Sequence, residues 1–353
     1  MSSPDALEAA ALPERAPHGQ GDGGQAARER PSRHRRRPLE YLEAYALVGC
    51  AVLVGLFFSV FPATSDTFTT SANLQLLVGG QAVVAVVALA LLIPMCANEW
   101  DLSVGATAAL AAVFSATVMS GGDLVLGILA GVGVGALVGL LNAVVVTRFK
   151  VNAIIATLGT STIVAGAINQ KTDGLSVSND IPQSLVDLGS GTWAGIPRIG
   201  VLVLLVSLAA HYVLGYTPFG RYLYALAANP TAARLVGLRT RLILGTTFVI
   251  AGILAGIGGI LAVARAGGAD PQLGDQLLLP AFAAAFLSAA SIKPGRYNVG
   301  GLLVAVYFLA VLNNGLNLAG AKPYVNLYVN GTALIIGVGL AAYLGRKRRG
   351  EKT

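Results

Sequence analysis

"YALAANPTAARLVGLRT", residues Tyr224–Thr240, lies between two long apolar stretches, and its reading decides the rest. Its middle carries helix punctuation. Asn229 fits an N-cap, Pro230 the first helical position and Gly237 a left-handed stop. About two turns result, too short to be stable alone in water. A short polar helix stranded between apolar runs predicts two membrane spans with a structured segment between them.

Composition agrees. The chain has 353 residues, 55% hydrophobic and 12% charged, with mean hydropathy +0.70. That is the profile of a polytopic membrane protein rather than a soluble domain. The net charge of +7 does not point to nucleic acid, because it sits at the ends. Of 24 Lys and Arg residues, seven lie in the first 37 positions and five in the last eight, which leaves no basic folded domain. Residues 1–40 are rich in Ala, Gly, Pro, Arg and Glu without apolar periodicity and read as a disordered basic arm. Cys50 and Cys96 both fall in apolar runs, so neither a disulfide framework nor a metal cluster is indicated, and no metal or cofactor is expected.

About 20 apolar residues cross a bilayer. Ten such runs are found, at 42–62, 74–97, 103–120, 124–147, 151–170, 199–216, 242–264, 276–291, 299–316 and 326–344. The expected fold is therefore all-α, with about ten transmembrane helices in a body spanning 41–345 and a basic tail at 346–353. Charge sets the orientation. With the N-terminus in the cytoplasm, Arg148, Lys150, Arg221, Arg234, Arg239, Arg241, Lys293 and Arg296 fall inside. Only Lys171, Arg198, Arg265 and Lys322 fall outside, so both termini are expected in the cytoplasm. "GILAGVGVGALVG" places Gly127, Gly131, Gly135 and Gly139 on one helical face, and Gly252 and Gly256 repeat the device. Such faces let helix backbones approach closely, and they read as packing within one bundle.

Three stretches rise above general membrane character. In "NEWDLSVGATAAL" (98–110), Asp101 can cap the helix that Leu102 and Ser103 begin, and a carboxylate there answers the helix dipole. The loop 217–241 is the longest expected cytoplasmic one between spans and carries four Arg residues. With small Ala232 and Ala233 beside apolar Leu235 and Val236, it suits a groove on a protein partner; lying on the membrane surface is the alternative. In "VLNNGLNLAGAKPYVN" (311–326), Asn313, Asn314 and Asn317 put amides near the outer end of a span, where they either bridge helices or line a polar path.

"DLSVG", "VNAIIATLGT", "GRYLYALAANPTAARLVGL" and "LNNGLNLAG", in this order, resemble the ribose-type permeases of bacterial ABC importers from about residue 42 to 344. The resemblance implies a coupling helix, seated in a cleft of an ATPase subunit, at Asn229, Pro230, Ala233, Arg234 and Gly237, flanked by Gly220, Arg221 and Arg239. It implies as partners ABC ATPase subunits, a periplasmic sugar-binding protein docked outside, against the 171–198 segment, and a second permease copy, identical or paralogous. The protein would sit in the inner membrane and move a small sugar by alternating access, a monosaccharide first, with polyols, nucleosides and furanose-like signals among the relatives' solutes. The polar span residues Gln81, Asn142, Asn152, Thr160, Asn313 and Asn314 are candidates for the solute path. One departure stands out: "AAFLSAASIKPGRYNVGG" (283–301) lacks the Gly-rich turn that relatives carry before the ninth span, which weakens transfer of substrate identity.

No Gly-Lys dipeptide occurs, so there is no Walker A loop and ATP hydrolysis is expected on another polypeptide. The chain is expected to be a non-catalytic subunit. An ion-coupled secondary transporter is the alternative, and it would call for ionisable residues deep in the spans, where this chain has almost none. A membrane-embedded enzyme would need more than the single body histidine, His211.

Overall fold

The computed structural model describes residues 38–349. Helices dominate it, as a bilayer requires of backbone that no water can satisfy. In chain order they are α1 (Pro38–Val60), α2 (Ser65–Phe68), α3 (Ser71–Gly80), α4 (Ala82–Met95), α5 (Val104–Met119), α6 (Leu124–Thr147), α7 (Ala153–Thr172) and α8 (Gln183–Ser190). There follow α9 (Arg198–Tyr216), α10 (Pro218–Ala228), α11 (Pro230–Leu235), α12 (Thr240–Ala266), α13 (Leu273–Leu287), α14 (Val299–Leu318) and α15 (Tyr324–Arg349). Among the described residues, eight helical segments are long and apolar enough to cross a membrane: α3 and α4 as one unit, α6, α7, α9, α12, α13 with its 3-10 extension, α14 and α15. Two shorter apolar helices, Ala44–Val60 within α1 and Val104–Met119, stand at the first and third expected runs. The chain is an all-α polytopic membrane protein.

Boundaries shift at both ends. Pro38 already opens α1, so the expected arm loses its last three residues; 1–37 and 350–353 lie outside the described residues. The tail expected from 346 continues α15 to Arg349. The segment 171–198 has structure of its own. It contains α8 and a hairpin pairing Thr192–Trp193 with Ile196–Pro197. Ala194 and Gly195 both take positive φ in its two-residue turn, the geometry that matches strand twist.

The core is α4. All its residues except Val84 are buried, and a helix apolar on every side belongs inside a bundle. It packs against α12, α13, α9 and α14. Beside it, α5, α6 and α12 form the tightest group. The two glycine faces meet there. A Cβ on Gly135 would collide with the Gly252 carbonyl, and one on Gly252 with the Gly135 carbonyl. A Cβ on Gly139 would strike the Phe248 carbonyl, and one on Gly259 the Ala108 carbonyl of α5. Backbone lies on backbone at these positions, while Gly127 and Gly131 make room for the side chains of Met119 and Ile260, so the intramolecular reading of these glycines holds.

Gly135→Val is therefore expected to cost at least about 1–3 kcal/mol and to abolish a monodisperse peak in fluorescence-detected size exclusion. Gly133→Ala, on the exposed face where nothing lies within 4 Å, is the control and should elute as wild type.

Candidate functional site

The segment 217–241 is two helices rather than a loop with one. Thr217 precedes α10, which buries Gly220, Leu223 and Leu226. Apolar positions three apart give α10 one inward face, too short to stand out in a hydropathy reading. Gly220 allows the sharp return from α9 to α10, since a Cβ there would overlap the Leu214 carbonyl. α11 then projects outward. The Asn229 side chain accepts from the N–H groups of Thr231 (3.0 Å) and Ala232 (2.9 Å), and Pro230 occupies the first position. At the other end Gly237 takes φ 83°, the Leu238 N–H donates to the Ala233 carbonyl (3.1 Å), and the Gly237 N–H donates to the Arg234 carbonyl (3.0 Å). These two bonds form a Schellman cap.

Of α11 only Ala233 is buried, against the helices on either side. Leu235 is 83% exposed and Val236 76% exposed, and Arg221, Arg234 and Arg239 are exposed as well. A six-residue helix capped at both ends thus presents two bare apolar side chains in a basic surround.

Asp101 is almost wholly buried, at 2% exposure. Its Oδ1 accepts from the Ser103 N–H (2.9 Å) and the Ser103 hydroxyl (2.6 Å). The expected helix start moves, because α5 begins at Val104 and Asp101 forms a turn just ahead of it. Burial pushes the Asp101 carboxyl above its ordinary range, and the two bonds from Ser103 oppose that. The network runs on. Asn142 Nδ2 donates to Ser103 Oγ (2.8 Å) and the Thr160 hydroxyl donates to Asn142 Oδ1 (2.7 Å). The Leu102 N–H donates to Thr157 Oγ1 (3.0 Å). Two polar links, one through Asn142 and one through Thr157, thus tie the turn at the head of α5 to α6 and α7.

The other polar candidates divide in the same way. Asn314 and Asn73 exchange reciprocal amide bonds of 3.0 Å between α14 and α3. Asn313 donates to Asn330 Oδ1 of α15 (3.3 Å), while its own Oδ1 is buried without a partner. Asn152 caps α7 through the Ile154 N–H. Gln81 sits at the joint between α3 and α4 with no capping bond. The structure does not gather the six into one cluster of mutual contacts. A cavity of about 710 Å³ between α1, α13, α14 and α15 is lined almost entirely by apolar side chains such as Leu47, Phe308 and Ile336, so it offers a sugar little to bind. Sequence reasoning missed Asn73, Ser103, Thr157 and Asn330, the partners of the polar residues it did select.

Residues 73–338 match the family described as branched-chain amino acid transport system / permease component. The chain is 31% identical to the ribose import permease protein RbsC of Escherichia coli K12 over 302 residues, covering 84% of this chain and 92% of that one. It belongs to this permease family. It is also 32% identical to the Bacillus subtilis ribose import permease protein RbsC, covering 81% of this chain and 90% of that one. The autoinducer 2 import system permease protein LsrC of Photorhabdus laumondii is 30% identical over 83% of this chain and 87% of its own. No solved structure matches.

In the permease, α10 is a strut between the exposed helix and the core. The Tyr224 hydroxyl donates to the Tyr297 carbonyl (2.9 Å), and the Cys96 thiol, at the end of α4, lies 3.7 Å from that hydroxyl. Arg296 stacks on the Tyr224 ring at 3.8 Å. Cys96 is buried, at 2% exposure, so the folded chain shields its thiol from reagents in water.

Two outcomes follow from these contacts. With Cys50 replaced by Ser, maleimide at pH 8 should leave the folded permease unlabelled and modify Cys96 once it is denatured; rapid native labelling would mean that α10 opens freely. Asn142→Leu removes one donor to Ser103 Oγ, which keeps its bond to Asp101, and leaves the Thr160 hydroxyl without its acceptor; it is expected to cost about 1–3 kcal/mol, read as a lower melting temperature of the purified protein. Unchanged melting with lost transport would instead mark Asn142 as a solute contact.

Proposed function

We propose that this permease moves a small sugar, a monosaccharide first, across the bacterial inner membrane as the translocation subunit of an ABC importer. The relatives carry the solute class: their names give ribose, autoinducer 2 and, for a 27% identical protein of Azospirillum brasilense, L-arabinose. The same relatives favour this reading over an ion-coupled secondary transporter. ATP hydrolysis is assigned to separate ATPase subunits, which accords with the missing Walker A loop. Ten crossings with both ends in the cytoplasm are supported by the ten apolar helices and the distribution of basic residues.

The observation that carries the coupling role is the outward face of α11. Leu235 and Val236 suit an apolar cleft on an ATPase subunit, and Arg221, Arg234 and Arg239 suit its acidic rim. ATPase closure pushes on α11, and the rigid caps deliver that push through α10 to the cytoplasmic end of α4. A second permease copy is supported by α7 and α15, only 22% and 11% buried within the single chain. A soluble binding protein delivers the sugar to the opposite face, where Asp173, Asp180, Asp187 and Trp193 are exposed. The solute path is assigned to Gln81, Asn142, Asn152, Thr160, Asn313 and Asn314, chiefly to those whose side chains keep a free polar group.

The test is sugar-stimulated ATP hydrolysis in proteoliposomes holding the permease, its ATPase and its binding protein. Leu235→Asp and Arg234→Glu change exposed side chains, and Gly237→Pro removes both the positive φ and a bonded N–H. All three should insert, and stimulation should fall about tenfold or more, the size of a lost interface hot spot. Full stimulation in the two exposed variants would remove α11 from the coupling role. Stimulation by no sugar, with uptake following an ion gradient, would overturn the importer reading itself.

A further inference from the structure

A second site lies beside the coupling segment. A cavity of about 310 Å³ is lined by His211 and Gly215 of α9, Arg221 of α10, Lys293 and Arg296 of the turn between α13 and α14, and Asn298 at the head of α14. Three cations converge there, and no carboxylate is among its lining residues. The N-terminus of the 20-residue α14 adds the positive end of a helix dipole. The pocket is built for an anion, and Tyr224, gripped by Arg296, forms part of its wall.

The surroundings say which anion. α9 is only 28% buried, and Leu204 and Leu208 on it are more than half exposed. At the helical period, 204, 208, 211 and 215 form one stripe, so the bare leucines run directly to His211 and Gly215, two of the three α9 residues that line the pocket. Tyr212 and Tyr216, exposed at the same end of α9, mark the level of the membrane interface, where such amphipathic rings settle. We propose that this pocket seats the phosphate of an anionic phospholipid headgroup, with an acyl chain lying along the Leu204–Leu208 stripe. The inference needs only a membrane-embedded chain and does not rest on the sugar or the coupling role. Its consequence is regulatory: the lipid would touch Arg221 and Tyr224 on the strut that carries α11.

The full-length chain would be purified in detergent and exposed to phosphatidylglycerol or phosphatidylcholine with the same acyl chains, and lipid retention read by native mass spectrometry. Wild type should retain phosphatidylglycerol preferentially. Lys293→Gln should reduce that preference about fivefold, the effect of about 1 kcal/mol for one basic residue at a membrane surface. Lys293→Arg should restore it, and Arg148→Gln, an exposed basic residue outside the pocket, should leave it unchanged. Equal retention of the two lipids, or a preference that survives Lys293→Gln in a monodisperse sample, would overturn the proposal. Displacement of the lipid by excess inorganic phosphate would assign the pocket to a free anion and overturn the lipid. Loss of the lipid on assembly with the ATPase would assign it to that subunit's carboxylates. Cross-linking of Leu208→Cys between two chains in membranes would put protein, not lipid, on the stripe.

Discussion

Everything in this bundle depends on how closely α6 and α12 can approach. In a bilayer there is no hydrophobic gain in bringing two apolar helices together, so association has to come from contact itself. Gly135, Gly139 and Gly252 remove the side chains that would hold the axes apart, and the carbonyls of one helix lie where Cβ atoms of the other would be. α5 joins the same seam through Gly259 and Ala108. With these three helices locked, α4 has a fixed wall to be buried against, and the elements that hang from its ends inherit a fixed frame.

That frame gives the outer segment its mechanical meaning. α11 alone is six residues, below any length that is stable in water. Its order comes from its two caps and from α10, and α10 is held by Gly220 against the end of α9 and by Tyr224 against Tyr297 and Cys96. The turn from 291 to 297 is itself fixed. The Ile292 N–H donates to the Ala44 carbonyl of α1 (2.8 Å), which holds Ile292 at φ 61°, a conformation unfavourable for a β-branched residue. The Asn298 side-chain nitrogen lies within 3.0 Å of three carbonyls of the same region, those of Ser288, Ser291 and Arg296, and shares its two N–H groups among them. This turn is thus held in place by side-chain bonds and one left-handed isoleucine.

Local rules made part of this legible in the sequence. Asn229, Pro230 and Gly237 act within a few residues of themselves, so their roles could be read directly, and the apolar runs locate the long helices because hydropathy is additive. Two short elements escaped the count of apolar runs: α10 is apolar on one face only, at Gly220, Leu223 and Leu226, and α8 is buried by a contact of Gly189 with Ala264, 75 residues away. The same distance problem hides polar partners. Asn314 is plain in the sequence, but its partner Asn73 stands 241 positions earlier, and nothing local joins them. The glycine faces of α6 and α12 were each visible; that they face each other is a matter of tertiary register.

The polar residues of the spans carry one more step of argument. An amide in hydrocarbon must be paired, and in this chain most are paired with one another. Asn142 uses both its oxygen and its nitrogen inside the α5–α6–α7 network, and Asn314 does the same with Asn73. A sugar competing for either would have to break two protein bonds to make two of its own, with little net gain. Gln81 and Asn313 differ: the first makes no capping bond at a helix joint, and the second keeps a buried oxygen without a donor. Groups left half-satisfied can exchange hydrogen bonds with a passing hydroxyl at small cost in either direction. Weak, reversible contact is what a conduit needs, because a solute held firmly does not leave.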